Sequence, residues 1–331
     1  MVHALVTCKG LPLVTHIKRV LCPIDFSECS HRALHHSIAI ARWYEASITV
    51  LHVFTNLPNI EVSGVPLNDP DHKLLIGRMQ AFAGAVPPAV PVTFVARCVP
   101  DVSREILAQA EVADLVVIGS HGRSGFDRLV LGSVAETIVR KSPRPVMVVP
   151  PHAPDADGSG LNHGVQPRIL CAIDFSDASL GALDYAISLA EETQGELTLF
   201  HSIEVPPELH EPIPVPTDFS VEQCHAAAEA TCLQRLRELV PPSVRHTCQV
   251  KTAVSEGAAY RQLLHKAAEQ PTNLIVMGVR GCGAVDLLLF GSNTARVTRA
   301  ATCPVLIVPR RRGHPDTRSM DRSHSIEFEP I

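Results

Sequence analysis

The chain has 331 residues, 46% of them hydrophobic and 19% charged, which excludes a disordered protein and leaves room for two domains with separate cores. Only 4% of the residues are aromatic, so the cores must be built from small aliphatic side chains, as in parallel sheets covered by helices. A net charge of −5 argues against a nucleic-acid-binding surface.

Strands and helices are predicted to alternate along the first part of the chain. We expect helices near 29–45, 70–85 and 101–112, a fourth helix that starts near 132, and strands at 18–24, 47–54, 91–98, 114–119 and 145–149. Alternation of this kind implies right-handed crossovers and a parallel sheet with helices on both faces.

The second part of the chain repeats the first. The segment RVLCPIDFS at 19–27 recurs as RILCAIDFS at 168–176, which is 149 residues later. From the glycine motifs onward, corresponding residues of the two copies are 159 positions apart, so the second copy holds about ten extra residues. We expect many of these residues in the proline-rich segment 205–216. We therefore predict four regions, namely a domain at 1–150, a flexible polar linker at 151–167, a domain at 168–309 and a disordered tail at 310–331.

A glycine motif follows a buried apolar run in each copy. In the first copy it comprises Gly119, Gly122, Gly132 and Ser133, and in the second copy Gly278, Gly281, Gly291 and Ser292. Glycines after a strand, followed by Gly-Ser at a helix start, let a backbone wrap closely around phosphates. Neither copy contains the lysine-bearing phosphate loop G-x-x-x-x-G-K-[ST]. Neither copy contains the dinucleotide-binding loop G-x-G-x-x-G either, and the absence of this second loop disfavours hydride transfer.

Three side chains in these loops have open roles. Arg123 is the nearest cationic substitute for the missing lysine, and Arg280 occupies the second loop. His121 either donates a hydrogen bond to a phosphate or only fills a loop position. Ser133 and Ser292 are better explained as phosphate donors than as nucleophiles, and no nucleophile–base–orienter set is readable.

Asp25 and Asp174 end the first strand of each copy. A carboxylate there can accept hydrogen bonds from ribose hydroxyls or from an adenine amine. The alternative is that each aspartate only caps the following helix, as aspartate often does. Because the glycine motif is expected to lie opposite, we favour ligand contact.

With these motifs in view, the chain resembles the universal stress protein family, as a tandem two-domain member. The resemblance covers roughly 17–150 and 168–309 and rests on G-x2-G-x9-G-[S/T], on the early Asp-Phe-Ser and on the closing Pro-Val-x-x-Val-Pro strand. It implies two doubly wound, Rossmann-like five-stranded parallel sheets of order 3-2-1-4-5. It also implies ATP at the switch between the first and fourth strands.

The resemblance implies a set of nucleotide-binding residues in each copy. Asp25 and Asp174 would contact adenosine, Val53 and Ser202 would flank adenine, and the glycine motifs would hold the phosphates, with Mg²⁺ or Mn²⁺ bound through the phosphates. The neighbouring residues complete the predicted set: Pro23, Ile118 and Val134 in the first copy, and Met277 and Asn293 in the second.

The sequence predicts an ATP-binding stress-response regulator. The alternatives are an interaction module that has lost its nucleotide, and a slow ATPase or self-phosphorylating protein. The second site is expected to bind more weakly, because Ser202 replaces the apolar Val53, although Arg280 adds charge. The resemblance further implies that the two domains pair through their last strands as an internal pseudo-dimer, and that a homodimer can form.

The sequence gives little support for a metal site, a membrane-spanning helix or disulfide bonds. His31 and His35 have a chelating i, i+4 spacing, but an exposed helix face explains them better. No apolar stretch approaches the roughly 20 residues of a membrane helix, and the N-terminus does not read as a signal peptide. The ten cysteines contain no C-x-x-C pair, which favours reduced thiols. We therefore expect a cytoplasmic protein without a membrane partner.

Overall fold

A computed structural model of the protein describes residues 16–55, 69–122, 131–154, 166–204, 221–279 and 291–309. Several predicted features lie outside the described residues. They are Arg123, Arg280, Gly281, the proline-rich segment 205–216, most of the predicted linker and the tail 310–331.

The first half follows the predicted alternation of strands and helices. Its elements are β1 (Arg19–Ile24), α1 (Glu28–Tyr44), β2 (Ser47–Phe54), α2 (Asp69–Ala83), β3 (Val92–Cys98), α3 (Val102–Ala110), β4 (Leu115–Gly119), α4 (Ser133–Lys141) and β5 (Val146–Val149). Each predicted strand is found within about a residue of its expected ends, because continuous apolar runs of this length are typical of strands buried on both faces.

The second half repeats this order with one addition. Its elements are β6 (Arg168–Ala172), α5 (Asp177–Thr193), β7 (Glu196–Ile203), α6 (Val221–Glu238), α7 (Val244–Thr247), β8 (Gln249–Glu256), α8 (Ala259–Glu269), β9 (Leu274–Gly278), α9 (Ser292–Ala300) and β10 (Val305–Val308). The short helix α7 was not predicted, and it takes up part of the extra length of this copy.

All ten strands form one sheet of order β3-β2-β1-β4-β5-β10-β9-β6-β7-β8. Each half therefore has the predicted order 3-2-1-4-5, and the pairs within each half are parallel. The two predicted five-stranded sheets are joined into one, because β5 and β10 pair antiparallel.

Helices cover both faces of this sheet. On one face the core includes side chains of α1 and α2, such as Leu34 and Met79, together with side chains of α5 and α6. On the other face it includes Ile106 of α3 and Ile138 of α4, together with side chains of α8 and α9. Both cores run through the two halves, so each face of the joined sheet has one continuous apolar layer. None of the helices in the described ranges is long and apolar enough to cross a membrane.

Polar contacts also join the two halves. The Tyr44 hydroxyl at the end of α1 lies 3.0 Å from the Ser188 hydroxyl of α5, and both groups are buried. The start of the predicted flexible linker is anchored on α1. Arg32 donates a 2.8 Å hydrogen bond to the Ala153 carbonyl, and His36 donates through Nε2 to the Pro154 carbonyl at 3.2 Å.

Candidate functional site

The candidate site of the first half lies where the strand order reverses. β1 lies between β2 and β4, so the chain leaves β1 toward one side of the sheet and later returns on its other side. Asp25 directly follows β1, and Ser120 directly follows β4. Open parallel sheets bind ligands beyond the carboxyl ends of their strands at such a reversal.

Asp25 does not cap helix α1. The cap residue is Ser27, whose side chain accepts a hydrogen bond from the Ser30 N–H at 3.2 Å. The Asp25 carboxylate instead accepts the Ser27 N–H through Oδ1 at 3.0 Å. The second half repeats this arrangement, with Ser176 as the cap and Asp174 Oδ1 accepting the Ser176 N–H at 3.0 Å. The capping explanation for the two aspartates is therefore wrong.

Gly119 is required by packing between α1 and β4. A Cβ atom on Gly119 would lie 2.9 Å from the backbone carbonyl carbon of Cys29, at the start of α1. A Cβ atom on Gly278 would lie 2.8 Å from the corresponding carbon of Ala178. Backbone cannot yield as a flexible side chain can, so these two glycines have a structural role that needs no ligand.

Gly122 faces the aspartate. A Cβ atom on Gly122 would lie 2.7 Å from Asp25 Oδ2, so any larger residue here would force the carboxylate or the loop to move. Gly132 packs against the same loop, because its Cβ atom would lie 3.2 Å from the Ser120 carbonyl oxygen. The Gly132 N–H also donates to that carbonyl at 2.8 Å. The structure thus brings Asp25, Gly122 and Gly132 together.

Helix α4 begins beside this loop. Gly132 is its N-cap, and no side chain of the described residues caps it; Ser133, its first residue, is exposed. The first N–H groups of a helix have no partner within the helix and carry partial positive charge. Helix α9 begins in the same way, with Gly291 as N-cap and Ser292 exposed. Both helix starts can therefore offer N–H donors to an anion.

His121 lies in the loop between β4 and α4. Its Nδ1 is 2.9 Å from the Ser120 hydroxyl, and its side chain is half-buried. This contact orients the imidazole ring, which favours neither of the two roles considered for this residue. Arg123, the cationic residue expected next to it, lies outside the described residues.

The apolar residues predicted to form a wall of the first site are buried or half-buried. Val53 is half-buried at the end of β2 and packs against the same core cluster as the buried Ile118 of β4. Pro23 lies opposite Leu51 in the β1–β2 register and is buried. Val134 in the first turn of α4 is half-buried and packs on this cluster as well. Four elements, namely β1, β2, β4 and α4, therefore contribute apolar groups at this end of the strands.

The second half differs at the corresponding positions. The Ser202 hydroxyl, at the position of Val53, donates a 2.8 Å hydrogen bond to the Gly257 carbonyl after β8. Met277 of β9 is buried, Asn293 in the first turn of α9 is half-buried, and Thr294 beside it donates to the Gly278 carbonyl at 3.1 Å. Hydroxyl groups that bond to the protein thus replace part of the apolar wall.

Sequence reasoning missed a stack of three side chains next to Asp25. The Phe26 ring contacts the His52 ring, with centroids 4.7 Å apart, and the Arg78 guanidinium lies 5.2 Å from its centroid. His52 Nδ1 lies 2.8 Å from the Ile24 carbonyl oxygen, and because a carbonyl only accepts, Nδ1 carries the proton.

The same stack recurs in the second half. Phe175 contacts His201 with centroids 4.8 Å apart, and the Arg235 guanidinium lies 3.8 Å from the Phe175 centroid. His201 donates through Nδ1 to the Ile173 carbonyl at 2.7 Å. The repeated Asp-Phe-Ser and the histidine pair 149 residues apart were visible in the sequence, but the arginines sit in helices whose alignment is weak.

Other chemical groups in the described residues give no second candidate. His31 and His35 rings lie 4.3 Å apart, yet no group of three or more potential metal ligands occurs in the described ranges. Burial raises the pKa of the Cys22 thiol to about 12, so this cysteine stays protonated at neutral pH. Cys29, which touches the glycine loop, also has its pKa raised by burial.

Comparisons with known proteins find similar sequences for both halves of the chain. The model of the universal stress protein family matches residues 16–150 and 167–309. Universal stress protein YxiE of Bacillus subtilis is 32% identical over 145 residues, which cover 43% of this chain and 97% of that protein. Universal stress protein Rv2005c of Mycobacterium tuberculosis is 32% identical over 202 residues, which cover 59% of this chain and 61% of that protein.

Among solved structures, a universal stress protein from Archaeoglobus fulgidus is similar along most of the chain. The two match with a TM-score of 0.59 and 24% identity, over 88% of this chain and 96% of that one. At this level of identity the similarity shows a common fold.

Proposed function

Since the chain belongs to the universal stress protein family and carries two tandem copies of its domain, we propose that it is a stress-response regulator that binds ATP. The first site lies between the ends of β1 and β4, and the second between the ends of β6 and β9. The Mg²⁺ or Mn²⁺ ion that accompanies ATP is held through the phosphates. The proposal assigns binding to these sites and does not assign turnover.

One observation carries the proposal. The Asp25 carboxylate, the closely approaching Gly122 and the start of α4 at Gly132 converge at the reversal of the strand order. Asp25 is not needed as a helix cap, since Ser27 fills that role. A carboxylate beside an N–H-rich helix start suits a ligand with hydroxyl groups at one end and phosphates at the other.

Each part of the nucleotide has a group that fits it. The Asp25 carboxylate accepts hydrogen bonds from ribose hydroxyls or the adenine amine. Val53 and Ile118 supply an apolar surface for the adenine ring, and Pro23 and Val134 extend it. The α4 N–H groups, the Ser133 hydroxyl and the loop at Gly122 donate to phosphate oxygens, with His121 in the loop and Arg123 following it.

The second site is proposed with the corresponding residues. Asp174 takes the place of Asp25, and Ser202 and Met277 face the base. The phosphates are held by Gly278, Gly281, Gly291 and Ser292 with Asn293 beside them. We also propose that the two joined halves form the internal pseudo-dimer that the family resemblance implies.

The test is nucleotide identification followed by a melting experiment. Mass spectrometry of the natively purified protein should detect adenine nucleotide. ATP with Mg²⁺ at about 100 times its dissociation constant should raise the free energy of unfolding by about 2.7 kcal/mol. GTP at the same concentration is the control for recognition of the base. The absence of any shift at millimolar ATP would favour the alternative of an interaction module without nucleotide.

A further inference from the structure

Phe26 has an unusual backbone conformation. Its φ is +64°, in the left-handed region that favours glycine and that bulky side chains rarely adopt. Contacts elsewhere in the fold must hold such a residue in place, and residues of this kind cluster at ligand-binding sites. Phe175 in the second half has φ +62°, so the two copies share this conformation.

The turn at Phe26 determines where the Asp25 carboxylate points. Phe26 lies between Asp25 and Ser27, and the Ser27 N–H donates to Asp25 Oδ1 at 3.0 Å. This bond spans Phe26, so the backbone conformation of Phe26 and the orientation of the Asp25 carboxylate depend on each other. With Oδ1 held by Ser27, the second oxygen, Oδ2, faces Gly122.

The contacts that hold Phe26 come from two other elements. His52 on β2 touches the ring and is itself fixed by its hydrogen bond to the Ile24 carbonyl, one residue before Asp25. Arg78 on α2 places its guanidinium 5.2 Å from the ring centroid, within the range of a cation–π contact. Neither residue needs to touch the ligand to act through Phe26.

We propose that the Arg78–Phe26–His52 stack, and its counterpart Arg235–Phe175–His201, are positioning devices that aim the adjacent aspartate at the ribose of the nucleotide. This inference rests on the proposed function and extends it to residues outside the glycine motif. The repetition supports the proposal independently. The ring contact with histidine, the arginine contact, the histidine hydrogen bond to a carbonyl and the left-handed turn all occur in both halves.

A positioning role has a consequence for selectivity that a purely structural role lacks. An aspartate held in one orientation accepts hydrogen bonds from the ribose hydroxyls, whereas a loosened one does not hold them. Loss of the stack should therefore weaken ATP binding and leave 2′,3′-dideoxyATP binding unchanged, since the latter has no hydroxyls to lose.

The experiment uses the full chain with Phe26→Leu and Phe175→Leu combined, so that both sites change together. Calorimetric titrations with ATP and 2′,3′-dideoxyATP, each with Mg²⁺, give the ratio of the two dissociation constants. The preference for ATP is the dissociation constant of 2′,3′-dideoxyATP divided by that of ATP. We expect it to fall about tenfold in the double variant, because a tenfold change in affinity corresponds to the loss of about one charged hydrogen bond. Affinity for 2′,3′-dideoxyATP should stay within about twofold.

Two further variants keep the test decisive. Phe26→Gly with Phe175→Gly keeps the left-handed turn accessible while removing the stack, and should show the same loss of preference if the leucine variant folds poorly. Phe54→Leu removes a ring that stacks on His52 at 5.7 Å, and should leave the preference unchanged.

Each remaining outcome has a distinct meaning. An unchanged preference in both double variants would overturn the positioning role, and so would equal losses for ATP and 2′,3′-dideoxyATP. ATP binding by the wild type without any preference over 2′,3′-dideoxyATP would overturn the positioning role alone. Failure of the wild type to bind either nucleotide would overturn the proposed function as well.

Discussion

At the scale of single residues, one glycine motif serves two different requirements. Gly119 lies against the backbone of Cys29, whereas Gly122 lies against the carboxylate of Asp25. The first contact packs a helix on a strand, and the second shapes the candidate site. A shared motif therefore does not give its glycines a shared role, and the two roles can be separated by substitution.

Gly119→Ala should destabilise the protein. The added methyl group would lie 2.9 Å from the Cys29 backbone, which must shift, at a cost of about 1–3 kcal/mol. Gly181→Ala in α5 is the matched control, because a Cβ atom there has no heavy atom within 4 Å. That change should stabilise the protein by up to ~1 kcal/mol. Urea unfolding measures both, and equal effects would argue against the packing role.

Gly122→Val should abolish the response to ATP. The new side chain would displace the Asp25 carboxylate, which lies 2.7 Å from the added Cβ position. Because Gly122 is exposed, the free energy of unfolding without ligand should change little. Melting curves with and without ATP and Mg²⁺ give both quantities. A retained shift from the first site, read with Asp174→Ala in the background, would mean that Gly122 does not approach the nucleotide.

At the scale of elements, the joined sheet depends on two short strands. Met147 of β5 and Leu306 of β10 lie opposite each other in the antiparallel register, and each is 1% exposed. Leaving such apolar strands unpaired would expose a sheet edge to aggregation. The pairing of β5 with β10 removes both edges at once.

A double-mutant cycle at this pair tests the register. Met147→Ala and Leu306→Ala should each cost about 2–5 kcal/mol, as buried truncations do. Because the side chains are neighbours across the strands, the double variant should deviate from additivity by about 0.5 kcal/mol or more. Met147→Ala combined with Ile106→Ala of α3 is the control pair, because the two side chains belong to the apolar clusters on opposite faces of the sheet and should be additive. Strict additivity at Met147 and Leu306 would contradict their proximity.

At the scale of the whole molecule, the two sites should differ in affinity. Asp25→Ala leaves the second site, and Asp174→Ala leaves the first, in an otherwise complete chain. The second site should bind ATP about tenfold more weakly, because the Ser202 hydroxyl already bonds to Gly257 where Val53 offers apolar surface. Calorimetric titration of the two variants compares them. Tighter binding by the Asp25→Ala chain would show that Arg280 outweighs the lost apolar contact.

The stability of the whole chain should fall at alkaline pH. Burial raises the pKa of Cys22 and of Cys303 from the ordinary 9.0 to about 12, and raises that of Cys171 as well. The folded state therefore holds these protons more tightly than the unfolded state, so the stability is complete below pH 9 and is lost as the pH rises toward 12.

Between pH 9 and pH 10 each of these thiols should cost roughly 1 kcal/mol of unfolding free energy. Urea unfolding at pH 8, 9 and 10 measures the effect, and Cys22→Ala should reduce the loss of unfolding free energy between pH 9 and pH 10 by roughly 1 kcal/mol. A Cys22→Ala chain with the same pH dependence as the wild type would contradict the assignment.

The strand ends were predicted from apolar runs, which report burial directly, whereas the strand order was implied by the family resemblance that the repeated motifs carry. It could not predict that Ala153 and Pro154 anchor on α1, since that depends on where Arg32 and His36 point after folding. It also missed α7 and the stack around Phe26. The stack joins a loop residue, a strand and a helix, and no local pattern encodes such a meeting.

The antiparallel pairing of β5 with β10 has a geometric consequence. All strands of one half run in one direction, and all strands of the other half run in the opposite direction. All ten strands share one axis. The carboxyl ends of β1 and β4 therefore lie at one end of this axis, and those of β6 and β9 lie at the other end. A partner that docks at one end meets a single candidate site, so the two sites are approached from opposite directions.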